Sequence, residues 1–439
     1  MQATGAGLGW IAIVRLGVVQ AAIGAMVMLS TSLLNRLMVV EYAIPAAVPA
    51  ALVAWHYAVQ LTRPLWGHTS DRSQNRTSWI IAGLGILALG TLLAVDATVM
   101  MAQPGLLAAL AAVAGFTLIG FGVGMSGTAL LALLASRTTA ARKAPAAAIC
   151  WSMMVAGIVV AAAISGSNLD PYSEERLAIV ASLVALGAFG AGIAALRHVE
   201  RDTPPVDQSD APQSRLPFAA ALARIWQERE ARRFTYFVFL SMLAYSMQDL
   251  ILEPFAGIVF GMTPGESTRL AGVQHSGVLA GMMVAGIGGS LYSRRFGADL
   301  SIWIVAGCIG SALMLGGLAM AASQGPAWPL KANVFGLGLA NGVFAVAAVG
   351  SMLGLARKAD GAGEGARMGV WGAAQAVAFG LGGLSGAVLV DVLRAAMLSD
   401  GDAFRVVFCI EAALFVAAAL VATGTTLVRA PAHGEVLAQ

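Results

Sequence analysis

Apolar stretches about 20 residues long, the length that crosses a bilayer's hydrocarbon core, recur from one end of this chain to the other. Lipid offers no partner to a backbone N–H or C=O, so such stretches must be helical. Spans are expected near 10–34, 45–63, 78–98, 104–136, 146–166, 176–197, 233–253, 270–291, 300–322, 332–356, 367–391 and 404–428. Of 439 residues, 58% are hydrophobic and 11% charged, which is more apolar than a soluble surface needs. The expected fold class is an all-α membrane protein with twelve transmembrane helices.

Basic residues give the orientation. Arg36, Arg176, Arg269, Lys331, Arg394 and Arg405 fall on one side, leaving 20 of the 26 Lys+Arg with the amino-terminal side. The positive-inside rule then expects both termini in the cytoplasm. The net charge of +3 follows from this asymmetry and gives no reason to expect nucleic acid. Cys150, Cys308 and Cys409 occupy three different expected helices without metal-site or CxxC spacing, so they read as small apolar residues. No metal ion site is expected. No basic segment precedes the first apolar run, so no cleaved signal peptide is expected.

Residues 198–232 interrupt the pattern with Pro204-Pro205, Pro212, Pro217 and many charges. They divide the chain into a six-helix bundle at 1–197, a linker at 198–232 and a second six-helix bundle with its tail at 233–439. Leu216, Phe218, Leu222, Ile225 and Trp226 suit one face of a short interfacial helix; a solvated linker is the alternative. The halves repeat. Arg137, Trp151, Ser165-Gly166 and Gly122-Val123 match Arg357, Trp371, Ser385-Gly386 and Gly342-Val343 at an offset of 220, and Gly67 and Arg72 match Gly289 and Arg294 at 222. A parallel six-plus-six repeat is the architecture of the major facilitator superfamily. Gly67-His68-Thr69-Ser70-Asp71-Arg72, followed by Arg76, resembles that superfamily's GxxxDR…R cytoplasmic gate motif. A tight turn at Gly67 would let Asp71 sit at a helix amino terminus.

Polar residues are scarce within the spans, and their positions are informative because each is costly there. Gln248-Asp249-Leu250-Ile251-Leu252-Glu253-Pro254 puts two acids i, i+4 on one helix face. Asn35 and Arg36, near the end of the first helix, align with Gln248 and Asp249. That alignment proposes an Arg36–Asp249 pair closing the far side, completed by Glu41 or Glu253; solvated helix ends are the alternative. Glu411 is a second misplaced acid, facing Arg405 or a neighbouring helix. Trp371 and Gln375 are i, i+4 near the cytoplasmic interface, where tryptophan ordinarily forms a belt. His56 and His275 read as intramembrane. Glycines gather in the fourth helix (Gly120, Gly122, Gly124, Gly127) and the eleventh (Gly380, Gly382, Gly383, Gly386), which suits close helix packing. No GxSxG, HExxH, Walker A or dinucleotide fingerprint stands in a suitable context, so no catalytic residue is expected.

Asn35 to Glu41, Arg63-Pro64-Leu65-Trp66-Gly67-His68-Thr69-Ser70-Asp71, Gln248 to Phe255 and Arg367-Met368-Gly369-Val370-Trp371-Gly372-Ala373-Ala374-Gln375 together resemble the PucC/LhaA family, over roughly residues 10–428. The resemblance implies an assembly factor for light-harvesting antenna complexes in a bacterial intracytoplasmic photosynthetic membrane. It implies bacteriochlorophyll as a bound client, and antenna polypeptides, pigment-completing enzymes and membrane lipids as partners. Asn35, Arg36, Glu41, His56, Gln248, Asp249, Glu253, His275, Trp371 and Gln375 are the pigment or cleft candidates. A neutral imidazole is a suitable magnesium donor and an indole can stack on a flat pigment, whereas hydrogen-bonded packing is the plainer role for either. A proton-coupled transporter of a small amphipathic compound and a pigment-free scaffold stay open as rival functions.

Overall fold

The computed structural model describes residues 7–63, 66, 75–103, 105–200, 226–296, 301–357, 364–396 and 399–423. Twelve helices are present among them: α1 Trp10–Glu41, α2 Ala47–Val59, α3 Arg76–Met100, α4 Leu106–Arg137, α5 Ala140–Asn168, α6 Glu174–Leu196, α7 Arg229–Phe260, α8 Pro264–Phe296, α9 Ser301–Gln324, α10 Leu330–Arg357, α11 Glu364–Ala395 and α12 Asp400–Thr423. Eleven of the described helices are long and apolar enough to cross a membrane; α2 is the short one. The chain is a multi-pass, all-α membrane protein.

Several helices outrun the expected spans, each for a local reason. α1 continues to Glu41 through two π-helical stretches, Leu29–Leu34 and Leu37–Glu41. α8 starts at Pro264, six residues earlier than expected. Thr263 N donates to Glu266 Oε2 (3.0 Å) and Glu266 N donates to Thr263 Oγ1 (3.2 Å), a reciprocal capping box with proline in the first helical position. α12 starts at Asp400 because Ser399 Oγ accepts from Asp402 N at 3.1 Å. α7 runs through Pro254 and stops at Gly261, whose φ of +66° only glycine adopts freely. There Gly261 N donates to Gly257 O at 3.1 Å, the five-to-one bond of an αL helix ending.

The chain forms two compact units. The first comprises Met1–Ser209, Asp249–His275 and Gly383–Met397; the second comprises Asp210–Gln248, Ser276–Gly382 and Leu398–Gln439. In the first, α1 packs on α5 through glycines: a Cβ at Gly157 would collide with the Ala21 carbonyl, and one at Gly24 would lie 2.5 Å from Met154 O. Gly122 of α4 abuts Leu87 of α3, and Gly120 abuts His56 O of α2. In the second, Gly281 of α8 meets Leu339 O of α10 and Gly382 of α11 meets Leu243 O of α7. Close backbone approach is what small residues give helices in lipid, where apolar burial drives little. The expected linker helix residues Leu216, Phe218, Leu222 and Ile225 lie outside the described residues, as do Gly67, Asp71 and Arg72 of the turn motif.

Candidate functional site

Pro254 has no N–H, so the Leu250 carbonyl one turn earlier loses its helical donor. Asn35 replaces it: its Nδ2 donates to Leu250 O at 2.7 Å. A buried amide of α1 thus supports α7 where it continues through a proline inside the first unit. Asn35 therefore has a specific structural role, one that accounts for a costly polar residue at this depth.

The two acids of α7 diverge in use. Glu253 is buried, accepting from the Ser32 hydroxyl on α1 and from Thr268 Oγ1 on α8 at 3.4 Å. Arg36 is 1% exposed and lies within electrostatic reach of Glu253. Its ion pair is with Glu41, Nη1 to Oε1 at 2.5 Å, and its Nη2 donates to Met262 O at 2.7 Å. The expected Arg36–Asp249 pair is corrected to Arg36–Glu41. The wide π-helical turn over Leu37–Glu41 returns Glu41 to Arg36, while Asp249 lies one turn away from Glu253 along α7. Asp249 is half-buried and within electrostatic reach of His275 on α8 and Tyr57 on α2. Thr268 and His275, seven apart on α8, thus oppose Glu253 and Asp249, four apart on the antiparallel α7.

Acids unmarked by the sequence close the far side of this unit. Asp170, after α5, accepts from Gly265 N (3.0 Å) and Thr263 Oγ1 (2.8 Å) at the start of α8, with Arg269 at 3.7 Å. Asp391 of α11 accepts from Ala46 N (3.0 Å) and Ala47 N (2.8 Å) at the start of α2. The caps are reciprocal: the first sequence half caps α8, and the second caps α2. Asp170 and Asp391 are 221 residues apart, close to the repeat offset. The Tyr42 and Tyr172 hydroxyls meet at 2.8 Å beside them. Arg36, Glu41, Asp170, Tyr172 and Met262 line a depression of about 440 Å³. On the near side, Arg76 donates to Ala132 O at 3.0 Å and to the Ser136 hydroxyl. Glu200 accepts from Arg76 N (3.1 Å) and Thr77 N (2.7 Å), so it holds the α3 amino terminus, with Arg137 at 3.7 Å.

The histidines separate. His56 Nδ1 faces Val53 O at 3.2 Å; a carbonyl only accepts, so Nδ1 carries the proton. Its Nε2 then accepts from Gln60 Nε2 at 2.8 Å, and Gln60 Oε1 is held by Arg63. Both ring nitrogens are occupied, which corrects the ligand expectation to hydrogen-bonded packing. His275 Nδ1 likewise donates to Ala271 O, at 2.9 Å.

Trp371 is fully buried in the second unit. Its Nε1 donates to Thr235 Oγ1 at 3.1 Å and Phe234 packs edge-on at 5.0 Å, so it is neither a belt residue nor a stacking platform. Its repeat mate Trp151 is 39% exposed. Gln375 is half-buried. Gln248 is fully buried with neither amide atom hydrogen-bonded among the described residues. Glu411 is also fully buried, and neither carboxylate oxygen has a partner there; Arg405, an expected partner, is exposed.

The family described as PUCC protein matches residues 33–430. The chain belongs to this family. A relative from Rhodobacter capsulatus, the bacteriochlorophyll synthase 44.5 kDa chain, is 49% identical over 97% of this chain and 98% of its own length. A PucC protein of the same organism is 27% identical over 92% of this chain and 90% of its own. Among solved structures, a bacterial homolog of the lysosomal transporter Spinster, inward-facing and unoccupied, superposes with a TM-score of 0.67 at 12% identity, covering 95% of this chain and 96% of that one. The nucleoside transporter NupG gives 0.67 at 14% identity, covering 94% and 98%. These neighbours share this chain's fold, the major facilitator superfamily fold expected from the sequence.

Proposed function

We propose that this PUCC family member is an assembly factor for light-harvesting complexes that binds bacteriochlorophyll and hands it to antenna polypeptides. Family membership carries the reading, supported by the 49% relative whose name contains the pigment. The site is compatible. Arg36, Glu253, Asp170 and Asp391 are engaged in bonds to other elements, and Glu41 in an ion pair with Arg36 within α1. An amphiphilic pigment needs an apolar surround with few polar anchors. The protein acts without catalysis, in the photosynthetic inner membrane, with both termini cytoplasmic.

The test is near-infrared absorption of the protein purified in mild detergent from a phototrophic host. A stoichiometric bacteriochlorophyll band with antenna polypeptides attached is expected. Colourless protein that retains antenna polypeptides would replace delivery by scaffolding, and colourless protein without them would revive transport. The word synthase in the relative's name favours a second reading, participation in completing the pigment. Turnover of a pigment precursor by the purified protein alone would establish it over delivery.

A further inference from the structure

We propose that His275 Nε2 is the axial donor to the magnesium of a chlorin carried in the first compact unit, an assignment that rests on the pigment reading above. The bond from Nδ1 to Ala271 O fixes the tautomer, so the proton is on Nδ1 and the lone pair on Nε2. Metal-binding histidines are typically held in this way, with the second nitrogen donating to a carbonyl that orients the ring. No hydrogen bond occupies Nε2 among the described residues. His56, at similar depth on α2, differs in that respect because Gln60 takes its Nε2.

The surroundings specify the class of metal. His275 is 9% exposed and lies eleven residues into α8, roughly 16 Å along the axis and so near the middle of a hydrocarbon core about 30 Å thick. No group of three or more His, Cys, Asp or Glu able to hold a metal ion occurs among the described residues. A bare ion needs several protein ligands, whereas magnesium in a chlorin brings four ring nitrogens and needs one more donor. Asp249 is close enough to act electrostatically on His275, with no ion pair or hydrogen bond between them among the described residues. A carboxylate there disfavours an anionic ligand beside the ring.

The experiment titrates bacteriochlorophyll a into the full-length protein, His275→Ala and His56→Gln, each monodisperse in mild detergent. It reads stoichiometry and the Qx band, which reports magnesium coordination. For His275→Ala the apparent affinity is expected to fall at least about tenfold, the lower range for losing even an outer-shell partner of a metal site. Added imidazole should restore it, and His56→Gln should bind as the parent does. Parent and His275→Ala binding equally with the same Qx band would overturn the axial assignment and leave the pigment reading standing. A parent that binds no pigment would overturn both. Should His275→Ala not fold, diethyl pyrocarbonate labelling of the parent decides. Protection of His275 by bound pigment supports the assignment, and labelling at the unloaded rate refutes it.

Discussion

Asn35 shows how much a single side chain decides in this membrane protein. With Pro254 present, Asn35→Leu strands the Leu250 carbonyl in an apolar surround, expected to cost about 1–3 kcal/mol. In a Pro254→Ala background the new N–H can take that carbonyl, so the same substitution should cost less. A double-mutant cycle on thermal unfolding in detergent is expected to show coupling of about 1–2 kcal/mol between two residues distant in sequence. Additive effects would mean that Asn35 does not serve the proline. Glu411 is the opposite case, an acid with neither oxygen bonded among the described residues. Its burial is costly in either protonation state, so Glu411→Met is expected to raise stability by about 1–3 kcal/mol. If the stabilised variant no longer supports antenna assembly in cells, the acid is retained for a client.

At the scale of elements, carboxylates on helix starts recur: Asp170 on α8, Asp391 on α2 and Glu200 on α3. The first four N–H groups of a helix have no internal partner, and an acid there also meets the positive end of the dipole. Asp170→Ala and Asp391→Ala are each expected to cost about 0.5–2 kcal/mol. Because Asp170 also joins Thr263 and Arg269, its loss should be the larger. Melting temperatures of the two variants rank them, and equal values would remove the distinction. The π-helical end of α1 performs a related task, since its wide turn gives Arg36 a neighbour in Glu41.

For the whole molecule, the distribution of charge bears on mechanism. Ion-coupled transport needs acids that exchange partners through a cycle. Here Glu253, Asp170 and Asp391 are bonded between elements of one compact unit, and Glu41 is paired with Arg36 within α1. Pigment retention in membrane vesicles is therefore expected to be unchanged when a protonophore collapses the proton gradient. Loss of pigment on adding it, at unchanged protein stability, would favour the transporter reading.

The sequence by itself determined the helices and their approximate limits, because apolar length is a local property of the chain, and its contiguous motifs carried the resemblance to the family. Two further details are local in the chain: Gly261 as a helix stop, and Thr263 to Glu266 as a capping box. The tertiary structure alone decided partners. Asn35 and Leu250, Asp170 and Gly265, Asp391 and Ala46, and Thr235 and Trp371 are far apart in the chain, and no periodicity encodes which of them meet. The histidines are a local case by contrast: Gln60 stands four residues after His56, a spacing that puts both on one helix face, and it occupies Nε2 there, whereas no such bond occurs at His275 among the described residues.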